Sequence, residues 1–440
     1  AELGATRLAA HYFDICFTGN DSLSDARIDN QDLKIRFVSP MVVDSVAARF
    51  TSAMSLVSPM VEARNVDIDI LQHSLPPFTL DIDAGERNAL HDYLAESGTT
   101  FRHATLIACN DSLICIKAAV DTLITGTTRF DRIDFNALQE GNRLNYELTI
   151  DNQPGTFDDF AHIAGKGYIG GDKVMVALQQ RNIKDATGYR IGALVELSDS
   201  TLKLRLDPTD PVIGYKQWMV NDNNFISLNT RNYHLDANLL MENNDSRLHI
   251  YTEHDSIHGG DHQENINVDI SKIQIADWIS LNPYAPPMKG DLSANLKFSM
   301  SPGMLNGAGV VTLADFTYAK KRVGTLDLAL DITTSRSGAI TANTGLKIDG
   351  KEVMMANGAL NDTTLSDPFR LDFALTRLPL DIANPFIGGA ATLDGYLSGN
   401  MDVTGSMSAP MFDGYLDFDS ATAKVAMLGT TFRFSEEKIP

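Results

Sequence analysis

The chain has 440 residues, 43% apolar and 21% charged, which excludes a disordered polymer and allows two or three domains or one elongated array. Lys plus Arg number 36 against 57 Asp plus Glu, and the resulting net charge of −21 excludes a nucleic-acid binder, which needs a basic face. The least charged stretch, Ser39 to Ala63, is interrupted by Asp44, Arg49 and Glu62, so it falls short of the roughly 20 apolar residues of a membrane span.

The chain opens at Ala1 with neither a basic n-region nor an apolar h-region, and it ends on a strand-like run, Thr430 to Phe434. Both ends read as cuts in something longer. Helical spacing is predicted over Val43–Val57. Period-two alternation follows at Val66-Ile68-Ile70, with Asp67 and Asp69 on the wet side, and at Phe78-Leu80-Ile82 beside Asp81 and Asp83. A second helix is predicted over Glu86–Glu96. Alternation then dominates: Leu144-Tyr146-Leu148-Ile150, Leu202-Leu204-Leu206, Leu248-Ile250 and Ile266-Val268-Ile270. A short helix at Ile275–Leu281 precedes Leu292-Ala294-Leu296-Phe298-Met300 and Leu326-Leu328-Leu330-Ile332. Phe369-Leu371-Phe373-Leu375, a turn at Leu380–Asn384 and Leu397-Gly399-Met401-Val403 complete the series. Hairpin turns are predicted at Asn110-Asp111, Asn244-Asp245, Asp349-Gly350 and Asn361-Asp362, where Asn, Asp and Gly tolerate positive φ.

Strict alternation marks strands with one apolar and one wet face. About 25 such strands against four short helices make the fold mainly β and mostly antiparallel, because buried parallel strands read as continuous apolar runs. Two architectures stay open on periodicity alone. The apolar faces either close on each other as sandwiches or line a trough. A ten-residue strand spans roughly 34 Å, enough to curl around acyl chains, and about 25 strands set crosswise would extend on the order of 120 Å. An internal echo favours a repeat array. Asn282-Pro283-Tyr284, Gly290-Asp291-Leu292-Ser293 and Leu305-Asn306-Gly307 return as Asn384-Pro385-Phe386, Gly395-Tyr396-Leu397-Ser398 and Phe412-Asp413-Gly414, with an offset of roughly 105 residues that drifts by a few.

Chemistry-bearing motifs are few. Glu253, His254, Asp255, His258, Asp261, His262 and Glu264 form the densest polar cluster, but Gly259-Gly260 breaks any helix there, so a solvated hairpin loop outweighs a metal site. No nucleophile elbow, phosphate loop or dinucleotide fingerprint occurs. Trp218 and Trp278 fit a rim or a core better than a sugar platform. Asp21-Ser22-Leu23, Asp111-Ser112-Leu113 and Asp255-Ser256-Ile257 suit either glycosylation or plain turns. Cys16, Cys109 and Cys115 read as ordinary thiols or, in an oxidising compartment, as a Cys109–Cys115 bridge with Cys16 left over.

The segment Gly395-Tyr396-Leu397-Ser398-Gly399-Asn400-Met401-Asp402-Val403-Thr404-Gly405, then Ala409-Pro410, Gly414-Tyr415-Leu416-Asp417-Phe418 and Leu428-Gly429-Thr430-Thr431-Phe432-Arg433-Phe434, resembles the C-terminal region of the TamB family, relatives of the AsmA-like proteins. Gly165-Lys166-Gly167-Tyr168-Ile169-Gly170, Gly214-Tyr215-Lys216-Gln217-Trp218 and Asn223-Asn224-Phe225-Ile226 are similar to the middle region of the family's Bacteroidetes branch. The resemblance spans Gly165 to Pro440. It implies an elongated repeating β-groove (a β-taco), divided here into residues 1–160, 161–272, 273–377 and 378–440. It also implies a periplasmic protein of outer-membrane biogenesis that moves phospholipids between the two membranes. Its implied partners are phospholipid acyl chains, the inner membrane through an N-terminal helix this chain lacks, and a TamA- or BamA-like barrel through a segment beyond Pro440. It implies no catalytic residue, metal or cofactor. The expected lining is Leu292, Leu296, Phe298, Leu326, Leu328 and Leu330, then Leu371, Phe373, Leu397, Met401, Val403, Leu416 and Phe418. The competing readings are an adhesin-like scaffold with closed cores and, more distantly, a β-solenoid carbohydrate enzyme using the Glu253–Glu264 cluster.

Overall fold

A computed structural model describes residues 2–3, 6–7, 11–126, 128–152, 161–232, 234–253, 264–279, 286–301, 304–335, 337–360, 369–384, 386–387, 389–406, 409–434 and 437–439. The fold is mainly β, as the alternation predicts: 67% is strand and 12% helical, so helices can cover only a small part of the apolar strand faces. The chain divides into two compact units, 1–216 and 217–440.

In the first unit, twelve strands from Asp14–Asn20 to Thr201–Leu206 pair antiparallel in chain order. Helices α1 (Val43–Glu62) and α2 (Ile68–Ser74) separate strands Leu33–Ser39 and Phe78–Ala84, and α3 (Ala89–Glu96) follows. α1 runs past the predicted Val57 because Pro59 lies in its last turn, where the loss of one N–H leaves the closing bond from Ala63 N to Pro59 O intact (2.8 Å).

The expected strand at Val66-Ile68-Ile70 is a correction: residues 68–74 are helical. Capping outweighs the two-residue period. Asp67 Oδ1 accepts from Ile70 N (2.9 Å), and Asn142 Oδ1 accepts from Ile68 N (2.6 Å) and Asp69 N (3.2 Å), so three amides of the first turn are satisfied. α3 begins at Ala89 rather than Glu86 because buried Asn88 is its cap, accepting from His91 N at 2.9 Å. The hairpin tip at Asn110 is tied down as well. Its amide, 2% exposed, donates to the carbonyls of Gln72 (3.1 Å), Leu75 (3.3 Å) and Pro76 (2.9 Å), fixing the α2 exit. Cys109 and Cys115 face each other across the same hairpin as a disulfide, and Cys16 is free and exposed.

In the second unit, twelve strands from Phe225–Asn229 to Ala409–Val425 again pair antiparallel in chain order. Asp349 (φ 48°) and Gly350 (φ 75°) form the predicted two-residue turn, both at positive φ. Asn361-Asp362 and Asn282-Pro283-Tyr284 lie outside the described residues.

The internal echo is structural, and its offset does not drift. Strands Glu264–Gln274, Met288–Ser301 and Met304–Tyr318, with α4 (Ile275–Ile279), return as Phe369–Pro379, Ala391–Ser406 and Ala409–Val425, with the 3-10 turn Leu380–Ala383. Ile270 opposite Ala294 and Ile273 opposite Leu292 become Leu375 opposite Gly399 and Leu378 opposite Leu397. The bulge residue is Lys272 (φ 46°) in one copy and Arg377 (φ 45°) in the other. Each is held alike: Lys272 N donates to Ser293 Oγ (3.1 Å) and Arg377 N to Ser398 Oγ (3.0 Å). A second bulge at Gly290 and Asp315 is matched at Gly395 and Ser420. Constant spacing aligns Leu305 with Pro410 and Gly307 with Phe412. The similarity of Leu305-Asn306-Gly307 to Phe412-Asp413-Gly414 is therefore two residues out of register. The segment borders drawn at 272 and 377 fall on the two bulge residues themselves. Each bulge inserts extra backbone into one strand and bends it.

Gly395 carries the tightest of these bends. It sits at φ 95°, and a Cβ there would lie 2.6 Å from Ala421 Cα. Gly395→Ala is expected to lower stability by about 1–3 kcal/mol through strain at this bulge. Gly345→Ala, whose nearest neighbour would be 4.0 Å away, should be close to neutral. Urea unfolding of the two variants side by side checks both.

Candidate functional site

Cross-strand register decides which side chains share a face. In the second unit Leu292, Leu313, Leu326 and Ile348 stand abreast, as do Val268, Leu296, Gly309 and Leu330, and Ile266, Phe298, Gly307 and Ile332. Between them runs the row Ala294, Val311, Leu328, Leu346, Met354, Leu375, Gly399 and Leu416. Leu371 with Val403, Phe373 with Met401, and Leu397 with Phe418 flank the far end of that row. All thirteen expected lining residues thus occupy one continuous face. Its glycines sit under large neighbours: a Cβ on Gly307 would lie 2.4 Å from Phe298 Cδ1, and one on Gly309 would lie 2.7 Å from Leu296 Cδ2. Glycine at these points lets a bulky cross-strand side chain lie flat along the sheet.

Burial separates a sealed core from an open face. Of the thirteen, only Val403 is buried (5% exposed), Leu328 is exposed (37%), and the other eleven are half-buried. Closing a second apolar layer over the face would bury such side chains almost completely.

The first unit holds a corresponding row that the sequence reading did not single out. Ile15, Ile28, Ile35, Ile82, Leu106, Ala118, Phe135, Leu148, Gly165, Leu178 and Ile191 lie abreast on eleven consecutive strands. The side chains of this row are half-buried, apart from the exposed Ile15. Period-two spacing was the available signal, but aligning one row over eleven strands requires the register. Helices close only the margins of this face. On one side Phe50 of α1 packs against Phe37 (6.2 Å) and Phe78 (5.2 Å). On the other, Leu94 of α3 covers buried Leu33, Ala84 and Phe101.

Charge is kept to the opposite face. Asp25 accepts from Arg27 and Arg36 (both 3.1 Å), and Arg132 bonds Asp121 on the neighbouring strand (2.6 Å) and Asp134 on its own (2.7 Å). Hydrogen bonds from Arg27 and then Arg36 hold the Asp25 carboxyl down to about 2.

Of the remaining sequence candidates, His254 to Gln263 lie outside the described residues, and Glu253 pairs with Lys297 (3.2 Å). Among the described residues no group of three or more His, Cys, Asp or Glu could hold a metal, and no helix is long and apolar enough to cross a membrane. Trp218 and Trp278 form a T-shaped pair 5.8 Å apart, and Trp218 is buried, which makes it a core residue rather than a sugar platform. Asp81 and Asp83 lie on the wet face, where Asp83 meets His103 at 3.2 Å. Comparison with protein-family models, curated proteins and solved structures finds no match, so function is argued from the face itself.

The Asp25 carboxyl is expected to titrate near 2 by carboxyl-detected NMR, below its ordinary 3.8. Any stability it contributes is present above the unfolded value and lost as pH falls through that window. In Arg27→Gln the midpoint should move back up.

Proposed function

We propose that the chain is a periplasmic, TamB-like lipid conduit whose apolar face carries phospholipid acyl chains between the inner and outer membranes. The observation that carries this reading is the continuous apolar face in each unit, whose central side chains stay half-buried instead of being sealed. Moving a two-chain lipid through water exposes about 30 methylenes at about 0.8 kcal/mol each, roughly 25 kcal/mol. A lining of equivalent Leu, Ile, Val and Phe side chains removes most of that cost and offers no deep trap, so a chain slides from strand to strand. Headgroups remain in water at the open side. The chemistry is passive: the site residues act as surfaces for hydrocarbon.

Two further facts agree with this reading. The Cys109–Cys115 disulfide suits an oxidising compartment such as the periplasm. In the segment that resembles the TamB family, Gly399 lies opposite Leu416 and Gly414 opposite Met401, so its glycines serve the apolar face. On this reading the partners are phospholipids, the inner membrane and an outer-membrane barrel of the TamA or BamA kind.

Native mass spectrometry of protein purified from a Gram-negative periplasm tests the proposal. The wild-type chain is expected to carry bound phospholipid. Leu328→Arg and Phe373→Asp should retain the strand circular dichroism and lose at least about tenfold in bound lipid, since a charge against hydrocarbon costs more than a decade in affinity. A lipid-free wild-type mass would support closed scaffolding instead and overturn the conduit.

A further inference from the structure

We infer that α1 is a second wall for the acyl chain, turning one margin of the first unit's apolar face into a two-sided seat. The inference rests on the lipid reading above and adds a site to it. α1 exposes Val43 (51%), Met54 (67%), Val57 (37%) and Val61 (61%), far more apolar surface than a packed helix leaves bare. With 3.6 residues per turn, Val43, Ala47, Phe50, Met54, Val57 and Val61 fall on one narrow stripe. Phe50, in the middle of that stripe, packs on Phe37 and Phe78. Phe37 belongs to the apolar face, opposite Ala26 and Leu80. The stripe and the sheet's lining are therefore one connected apolar surface.

The helix is also held like a rail. Ser24 Oγ donates to Met41 O (2.7 Å) just before its start. Beyond its end, Val66 and Gly171 exchange both backbone hydrogen bonds at 2.8 Å. Twenty residues give about 30 Å of helix, which matches six strand spacings of about 4.8 Å from strand Leu33–Ser39 to strand His162–Gly170. That length is about twice the depth of one leaflet's hydrocarbon, so a single acyl chain fits alongside it.

The charges argue against other occupants. A helix that lies on an anionic membrane surface exposes Lys and Arg beside its apolar stripe. α1 has one cation, Arg49, and its guanidinium is turned back to the carbonyls of Ser74 and His73. A partner helix would need the middle of the stripe for its own knobs, and that position is filled by Phe50 against the sheet. Packing Val46 and fully buried Ala53 inward anchors the helix without using the stripe.

The test uses a phosphatidylethanolamine carrying a diazirine in its acyl chain, photolysed on the whole chain, with labelled peptides read by mass spectrometry. Labels are expected on α1 and, independently, on strand Lys321–Thr334 of the second unit. Met54→Glu should reduce the α1 label at least about tenfold while leaving the second-unit label unchanged. Met54→Leu should retain both labels, which separates loss of the seat from loss of fold. Labels on strand Lys321–Thr334 with none on α1 would overturn this inference and leave the conduit standing. No labels on either would overturn the conduit as well.

Discussion

The structure depends on one constraint, the unbroken antiparallel register of each ladder. A strand's side chains alternate between faces, so a slip of one residue would turn an entire apolar set out into water and bring Asp, Lys and Arg onto the greasy side. The ladders absorb their irregularities at defined bulges, and the apolar row resumes on the same face beyond each one. Leu328, Leu346, Met354 and Leu375 stay abreast across four strands although a register shift follows Leu346 and another follows Leu375. The polar face contributes to the same alignment: Arg132 stands directly opposite Asp121 of the neighbouring strand and bonds it at 2.6 Å.

Bending such a ladder without breaking it requires extra backbone at chosen places, and the two copies in the second unit supply it identically. A residue at positive φ, a serine hydroxyl that accepts its amide, and a glycine on the next strand recur at constant spacing. The chemistry of the bulge residue matters less than its conformation. Lys272 and Arg377 are long cations, but what they share is a φ near 45° and a partner for the N–H that the bulge removes from the ladder.

Helices have a narrow role. α1, α2 and α3 sit where strands end, and polar groups hold the starts of two of them: Asp67 and the turn residue Asn142 for α2, and buried Asn88, itself held by Asp32 and Gly85, for α3. Ordering the margins through polar clamps leaves the centre of the apolar face free of covering side chains. A sandwich would bury that centre and gain the transfer energy of its side chains. Leaving it half-buried forgoes that gain, and the cost is consistent with a surface kept available for hydrocarbon.

The sequence by itself determined that the chain is mainly β and antiparallel, and that each of the thirteen positions from Leu292 to Phe418 lies on the apolar side of its own strand. Period-two alternation is a local property, and each of those positions carries it in its own strand. The tertiary structure alone decided the rest. Alternation at Val66-Ile68-Ile70 lost to capping by Asp67 and by Asn142, which is remote in sequence. The repeat offset became constant only through paired bulges. The row from Ile15 to Ile191 exists because ten successive registers agree, and the half-burial of the face depends on what does not pack against it, which no local pattern encodes.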